Sequence, residues 1–142
     1  MGNKEPYASQ EEFEKRVVHY PDLPIVKMAP TATNRIVSGE KITISFSTMD
    51  PNSFWPIHRH KNEQIMVITD GAVDWIVEGK LYHLEKGDAI IEPPNIEHGG
   101  YVSDKGCSCI DIFSPARQDM VAKQKEALEK AASINATRKL KK

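Results

Sequence analysis

From Asn34 to Phe113 the chain alternates apolar and polar side chains in short runs, and turn-forming residues punctuate it at close intervals. A period of two is the signature of half-buried strands. Asn34 to Val37 is the first such run, followed by a Ser38-Gly39-Glu40 turn. Lys41 to Met49 is the second, with Ile42, Ile44 and Phe46 sharing one side, and Asp50-Pro51-Asn52-Ser53 then turns the chain. Gln64 to Thr69 and Ala72 to Val77 are predicted to form a hairpin about Asp70-Gly71. Glu78-Gly79-Lys80 is the next tight turn and Leu81 to Leu84 the return. Glu85-Lys86-Gly87-Asp88 leads into Ala89 to Glu92, Pro93-Pro94-Asn95 breaks the run, and His98 to Val102 resumes it. After a loop at Ser103 to Gly106, Cys107 to Phe113 is the last strand. Many short strands without intervening helices predict an all-β sandwich or barrel.

The pattern changes on both sides of this region, which divides the chain into three parts. Residues 1–33 are an N-terminal extension. Ser9 and Glu12 stand in capping-box spacing and predict a short helix, and Ile25 to Met28, among Pro21, Pro24 and Pro30, predicts an edge strand. Residues 34–114 hold the strands. Residues 115–142 read as a C-terminal helix and basic tail: Ser114 is the expected N-cap, Pro115 the first helical residue, and helix-favouring composition runs to about Ser133. Met120, Ala127, Ala131 and Ile134 give this helix a thin apolar face, and Arg138 to Lys142 reads as a solvated tail.

Composition narrows the class. A chain of 142 residues suits one domain with its own core. Its net charge of −1 provides no global field for nucleic acid or an anionic membrane, so neither is expected as a partner. No apolar run approaches the ~18 residues of a membrane span, and no N-terminal export pattern stands out, so a cytoplasmic location is expected. Cys107 and Cys109, the only cysteines, are poorly placed for a disulfide if extended, which fits a reducing compartment.

The chemistry concentrates in Phe54-Trp55-Pro56-Ile57-His58-Arg59-His60-Lys61-Asn62-Glu63-Gln64. In an extended chain His58, His60 and Gln64 share one side while Arg59 and Glu63 take the other. Two imidazoles with a further donor are what a divalent metal needs. His58-x-His60, three residues, Gln64, six residues, Gly71 resembles the first cupin motif, with Gln64 in the usual glutamate position and Asn52 in the opening glycine position. Gly87, five residues, Pro93, one residue, Asn95, two residues, His98 resembles the second, with Asn95 in a glycine position. Asn tolerates left-handed backbone better than other residues with a side chain, so both replacements are mild.

The cupin resemblance implies a single-domain double-stranded β-helix, or jelly-roll barrel, followed by the C-terminal α-helix. It also implies one divalent metal ion (Zn, Ni, Mn or Fe) held by His58, His60, Gln64 and His98. Three readings of Gln64 stand open: a site that has lost its metal, coordination by Glu63 through a bulge, or coordination by the Gln64 amide oxygen. The last leaves the ion's 2+ charge undiminished, which favours an anionic or chelating substrate.

Asp111-Ile112-Phe113-Ser114-Pro115-Ala116-Arg117 supplies a second group: an acid and an aromatic ring on one strand face, and an arginine just beyond. A structural Asp111–Arg117 pair is the simpler reading of it. With Pro93 to Gly99 and the histidine motif, this segment resembles the KdgF family of small pectin-degradation cupins, over roughly Gly39 to Arg117. The resemblance implies conversion of 4,5-unsaturated monouronates from pectin or alginate breakdown into linear keto forms. Asp111 would be the acid–base group, Arg117 would hold the sugar carboxylate and Phe113 would pack on the ring. A metal-dependent cupin dioxygenase and a non-catalytic small-molecule-binding cupin are the alternatives on the same fold. A homodimer is expected, because exposed sheet edges need cover.

Overall fold

Two strands much longer than the sequence pattern suggests organise this computed structural model, which describes residues 2 and 4–140, the side chains of 135–140 excepted. The strands are β1 (Ala32–Ser38), β2 (Thr43–Met49), β3 (Phe54–His58), β4 (Glu63–Val77), β5 (Lys80–Glu85), β6 (Ala89–Glu92) and β7 (His98–Ser114). Helix α1 (Gln10–Arg16) precedes them and α2 (Gln118–Leu140) follows.

β4 and β7 run antiparallel to each other along nearly their whole length. The first half of β4 and the second half of β7 join β1, β2 and β6 in one layer, in the order β1-β2-β7-β4-β6. Their other halves join β3 and β5 in the second layer, in the order β3-β7-β4-β5. All pairings are antiparallel, and the two layers enclose the core as a jelly roll.

The predicted hairpin about Asp70-Gly71 is therefore a correction: the chain passes through these residues as one bent strand. The pairing register shifts on both sides of them, as at a bulge. Gly71 adopts φ 72°, and a Cβ there would lie 2.0 Å from the Gly106 carbonyl oxygen. The predicted loop at Ser103 to Gly106 is likewise a bend inside β7, with Gly106 at φ 78°. Elsewhere the turn chemistry holds. Glu78 and Gly79, both at positive φ, make a two-residue hairpin between β4 and β5. Asn52 and Asn95 take φ of 56° and 63°, the left-handed backbone their glycine-like motif positions imply.

Ile42, just before β2, and Ile44 and Phe46 within it do share a side, and it is the outer one. Thr43, Ser45, Ser47 and Met49 face inward and are buried. The inner hydroxyls are satisfied: Asn34 Nδ2 donates to Ser45 Oγ at 3.0 Å and to Ser47 Oγ at 3.2 Å. Outside, Phe46 stacks on Tyr20 of the extension at 3.8 Å between centroids.

At the N-terminus, Ser9 and Glu12 form the reciprocal capping box of α1. The edge strand predicted at Ile25 to Met28 reduces to one bridge, Val26 to Asn34. Ser114 is not a helix cap, because it stays paired with Glu63 at the end of β7. The Ser114–Pro115 peptide is cis and α2 begins at Gln118, three residues later than Pro115. Asn62, buried in the loop before β4, anchors this crossing by donating to the Pro115 carbonyl at 2.5 Å. Met120 packs from α2 against Val26, Ile36 and Phe113, with Ala127 at the edge of that cluster. Ala131 and Ile134 are exposed, so among the described side chains the contact with the barrel comes from the first turns of α2. The side chains of the basic tail, Arg138 to Lys142, lie outside the described residues. No helix among the described residues is long and apolar enough to cross a membrane.

Candidate metal centre and acid–base cavity

His58 ends β3, His98 begins β7, and the two are register partners across those strands. His60 lies in the loop of residues 59–62, so the histidine-to-glutamine stretch is two strands joined by a loop and not extended throughout. The parity reading nevertheless holds: His58, His60 and Gln64 turn inward while Arg59 and Glu63 are exposed. Glu63 is thereby separated from the three imidazoles. Arg59 pairs with Glu97 on the outside. One ring nitrogen from each of His58, His60 and His98 lies within 4.8 Å of the others, close enough to share a metal ion.

Backbone carbonyls fix the tautomers. Nδ1 of His58 contacts the Pro56 oxygen at 3.0 Å, that of His60 the Asn62 oxygen at 3.0 Å, and that of His98 the Ile96 oxygen at 2.9 Å. A carbonyl only accepts, so each Nδ1 carries the proton and each Nε2 offers a lone pair. Burial, reinforced by the other positive groups nearby, lowers all three imidazole pKa values, that of His98 to about 4. They are neutral at pH 7, the form that ligates metal.

Gln64 is 4% exposed, and its Oε1 stands 3.0 Å from His60 Nε2. Its amide Nε2 donates to Asp111 Oδ1 at 3.0 Å. With the His60 proton committed to the Asn62 carbonyl, two acceptors face each other, and a cation between them resolves the contact. His98 Nε2 is also buried without a hydrogen-bond partner. These are the marks of a site whose donor set fits a divalent ion.

Beside the histidines, Trp55, Gln64, Asp111, Phe113 and Arg117 line a cavity of about 370 Å³, whose deeper wall includes Met66 and Met120. Burial pushes the Asp111 carboxyl up to about 6, against the Gln64 amide, the Cys109 thiol and Arg117, which hold it down. The Arg117 guanidinium lies 4.9 Å over the Phe113 ring and forks onto Asp119 at 2.9 and 2.6 Å. The simpler sequence reading of an Asp111–Arg117 pair is replaced by this Arg117–Asp119 pair. Phe113 is buried and meets His60 edge-on at 5.5 Å. Of the sequence-predicted residues, His58, Gln64, His98, Asp111, Phe113 and Arg117 line this cavity, and His60 adjoins it against Gln64 and Phe113.

Other candidates fall away. His83 sits on the outer surface against Asp74 at 2.7 Å. Cys107 and Cys109 are free and buried; burial raises the Cys107 thiol to about 11 and pushes Cys109 well above its ordinary range, so neither is a ready nucleophile.

One residue the motif reading passed over is Glu92. It is fully buried; burial first and then Asp111 push its carboxyl up to about 8, against the hydrogen bond from Trp75. Its only sequence signal is a charge on the same parity as Ile90, just ahead of Pro93. Glu92 Oε2 is 3.2 Å from His98 Nε2, but at pH 7 both groups are neutral and the contact is not an ion pair.

Comparison with known proteins agrees with this geometry. The Cupin_2 family model, a cupin domain, matches residues 45–113. The pectin degradation protein KdgF of Dickeya dadantii is 34% identical over 65 residues, 45% of this chain and 59% of that protein. The H2HPP isomerase of Bacillus subtilis is 34% identical over 76 residues, 52% of this chain and 32% of that protein. The chain thus spans less than two thirds of the length of these relatives. The structure of KdgF from Halomonas sp. superposes with a TM-score of 0.63 at 28% identity, over 68% of this chain and 89% of that one. Residues 45–113 match a cupin domain, the strands fold as one, and over this region the chain resembles KdgF.

Proposed function

We propose that this protein is a metal-dependent enzyme that isomerises 4,5-unsaturated monouronates, products of pectin or alginate breakdown, into linear keto forms. The observation that carries the reading is Asp111. It is a carboxyl raised toward neutrality that reaches the histidine cluster through a single residue, Gln64, in a cavity that also presents an arginine and an aromatic ring. The names of the relatives, a pectin-degradation protein and an isomerase, support redox-neutral chemistry on a small organic acid.

His58, His60, His98 and Gln64 would hold the ion, which supplies Lewis-acid stabilisation of negative charge on sugar oxygen. Arg117 spends two donors on Asp119 and keeps its other guanidinium edge for the substrate carboxylate. Phe113 gives the sugar ring an apolar wall. Asp111 Oδ1 accepts the Gln64 amide at 3.0 Å and Oδ2 only the weak Cys109 thiol donor at 3.7 Å, so Oδ2 is the atom that moves the proton. Removing the proton of the C1 hydroxyl breaks the C1–O5 bond and opens the ring to an aldehyde and a C5 enolate. Returning that proton to C4 gives the keto form, so no atom is gained or lost and no electron donor is needed.

The test is loss of unsaturated-uronate absorbance with Asp111→Asn. The variant is expected to keep its metal and lose about 10²–10⁴-fold in rate. Near-wild-type turnover would remove Asp111 from the reaction, and an inactive wild type across galacturonate- and mannuronate-derived substrates would overturn the function.

A further inference from the structure

The carboxylate missing from the first histidine motif is present elsewhere. In β4 the motif position holds Gln64, whose register partner across the sheet in β6 is Glu92. Directly opposite residues in an antiparallel pair project from the same face, so both side chains enter the barrel from neighbouring strands. Glu92 has no exposed surface, and its Oε1 accepts the indole N–H of Trp75 at 2.5 Å. Its Oε2 is buried without a hydrogen-bond partner, and so is His98 Nε2, 3.2 Å away.

In the metal-free protein a neutral Glu92 carboxyl can set its proton toward His98 Nε2, and a divalent ion beside the two atoms takes that proton's place. The His98 Nδ1 proton is committed to the Ile96 carbonyl. The Nε2 lone pair is therefore free to take the Glu92 proton or an ion, and Oε2 can bind an ion once its proton leaves. Two atoms 3.2 Å apart, each ~2.1 Å from one ion, subtend about 100° at it, within the range of ordinary coordination. The same spacing problem recurs on the other side of the cluster, between His60 Nε2 and Gln64 Oε1 at 3.0 Å.

We infer that Glu92 is an additional metal ligand, contributed by β6 and positioned by Trp75, which restores through its carboxylate the negative charge that Gln64 lacks. The site then holds three imidazoles, one amide oxygen and one carboxylate oxygen, and a divalent ion in it carries a residual charge of about 1+. Trp75 is a positioning residue: it holds Oε1 and leaves Oε2 for the ion. The inference rests on the metal-dependent reading above, and it changes that reading in one respect. The electrophilic charge facing the substrate is smaller than a set of neutral ligands would leave.

The test loads the full-length protein with Co(II) or Zn(II) alone and requires no substrate. In a crystal structure of the Zn(II)-loaded wild type, with the ion located by anomalous scattering, Glu92 Oε2 is expected at about 2.0–2.2 Å from the ion. In solution, Glu92→Gln preserves shape and an acceptor for Trp75. It is expected to weaken Zn(II) binding by at least tenfold and to change the visible absorption of the Co(II) form. Gln64→Glu in the Glu92→Gln background is expected to recover most of the affinity. An ion bound with Oε2 beyond hydrogen-bond range of it, or an unchanged Co(II) spectrum in Glu92→Gln, would overturn this assignment and leave the proposed function standing. A wild type that takes up no ion would overturn both.

Discussion

Asp111 and Gln64 show how one amide can serve two neighbours. The Gln64 oxygen faces His60 while its nitrogen donates to Asp111, which favours the carboxylate form that burial alone would disfavour. If Asp111 in its carboxylate form accepts the first proton, kcat/KM climbs with pH and levels off above about 6. Gln64→Glu removes the donor and adds a like charge beside Asp111, so the rising limb is expected to move to higher pH. A limb that stays in place would show that Asp111 does not set it. At this scale much was legible in the sequence. The histidine spacing, the parity of Gln64 against Glu63 and the left-handed Asn52 and Asn95 follow from backbone periodicity and sterics. Glu92 was not legible, because a charge in a short strand ordinarily reads as a solvent-facing residue. Only the packed fold shows it buried against His98.

At the scale of elements, the cavity depends on two strands that bend without breaking. Asp70-Gly71 has the composition of a hairpin turn, and local sequence reading takes it for one. The difference is tertiary: Gly71 lies against the Gly106 backbone, so the two long strands bend together and pass from one layer to the other. Their halves then carry His98 and Asp111 into the same interior from opposite ends of β7. Gly71→Ala both forces a side chain into positive φ and places a methyl against a carbonyl that cannot yield. It is expected to cost about 2 kcal/mol or more of stability, measured by urea unfolding. A loss below ~0.5 kcal/mol would mean the bend relaxes freely. The same tertiary cause explains β2. Its apolar side faces outward, where Tyr20 covers Phe46, because the inner side carries the hydrogen-bonded Ser45 and Ser47.

For the molecule as a whole, a buried cluster of titratable groups ties stability to pH in the metal-free protein. Glu92 has a folded pKa of about 8 against an ordinary value of 4.5. Between those values the native state holds a proton that the unfolded chain has released, so stability falls as pH rises. His98, at about 4 against 6.5, acts in the opposite sense, and its contribution is lost as pH falls from 6.5 toward 4. Above pH 6.5 the Glu92 effect is unopposed by His98. The urea midpoint of metal-free protein is therefore expected to drop between pH 6.5 and 8, and Glu92→Gln to remove that drop. An equal fall in the variant would assign it to another group. An all-β sandwich or barrel was readable from strand spacing, and the jelly roll from the cupin resemblance. The buried acid–base network was not, because it forms only when β4, β6 and β7 meet. Everything proposed for this protein passes through the metal centre, so its metal content after purification and loading is the most direct test. Elemental analysis is expected to give about one divalent ion per chain for the wild type and little for His98→Ala. A folded wild type that binds no divalent ion would contradict the account.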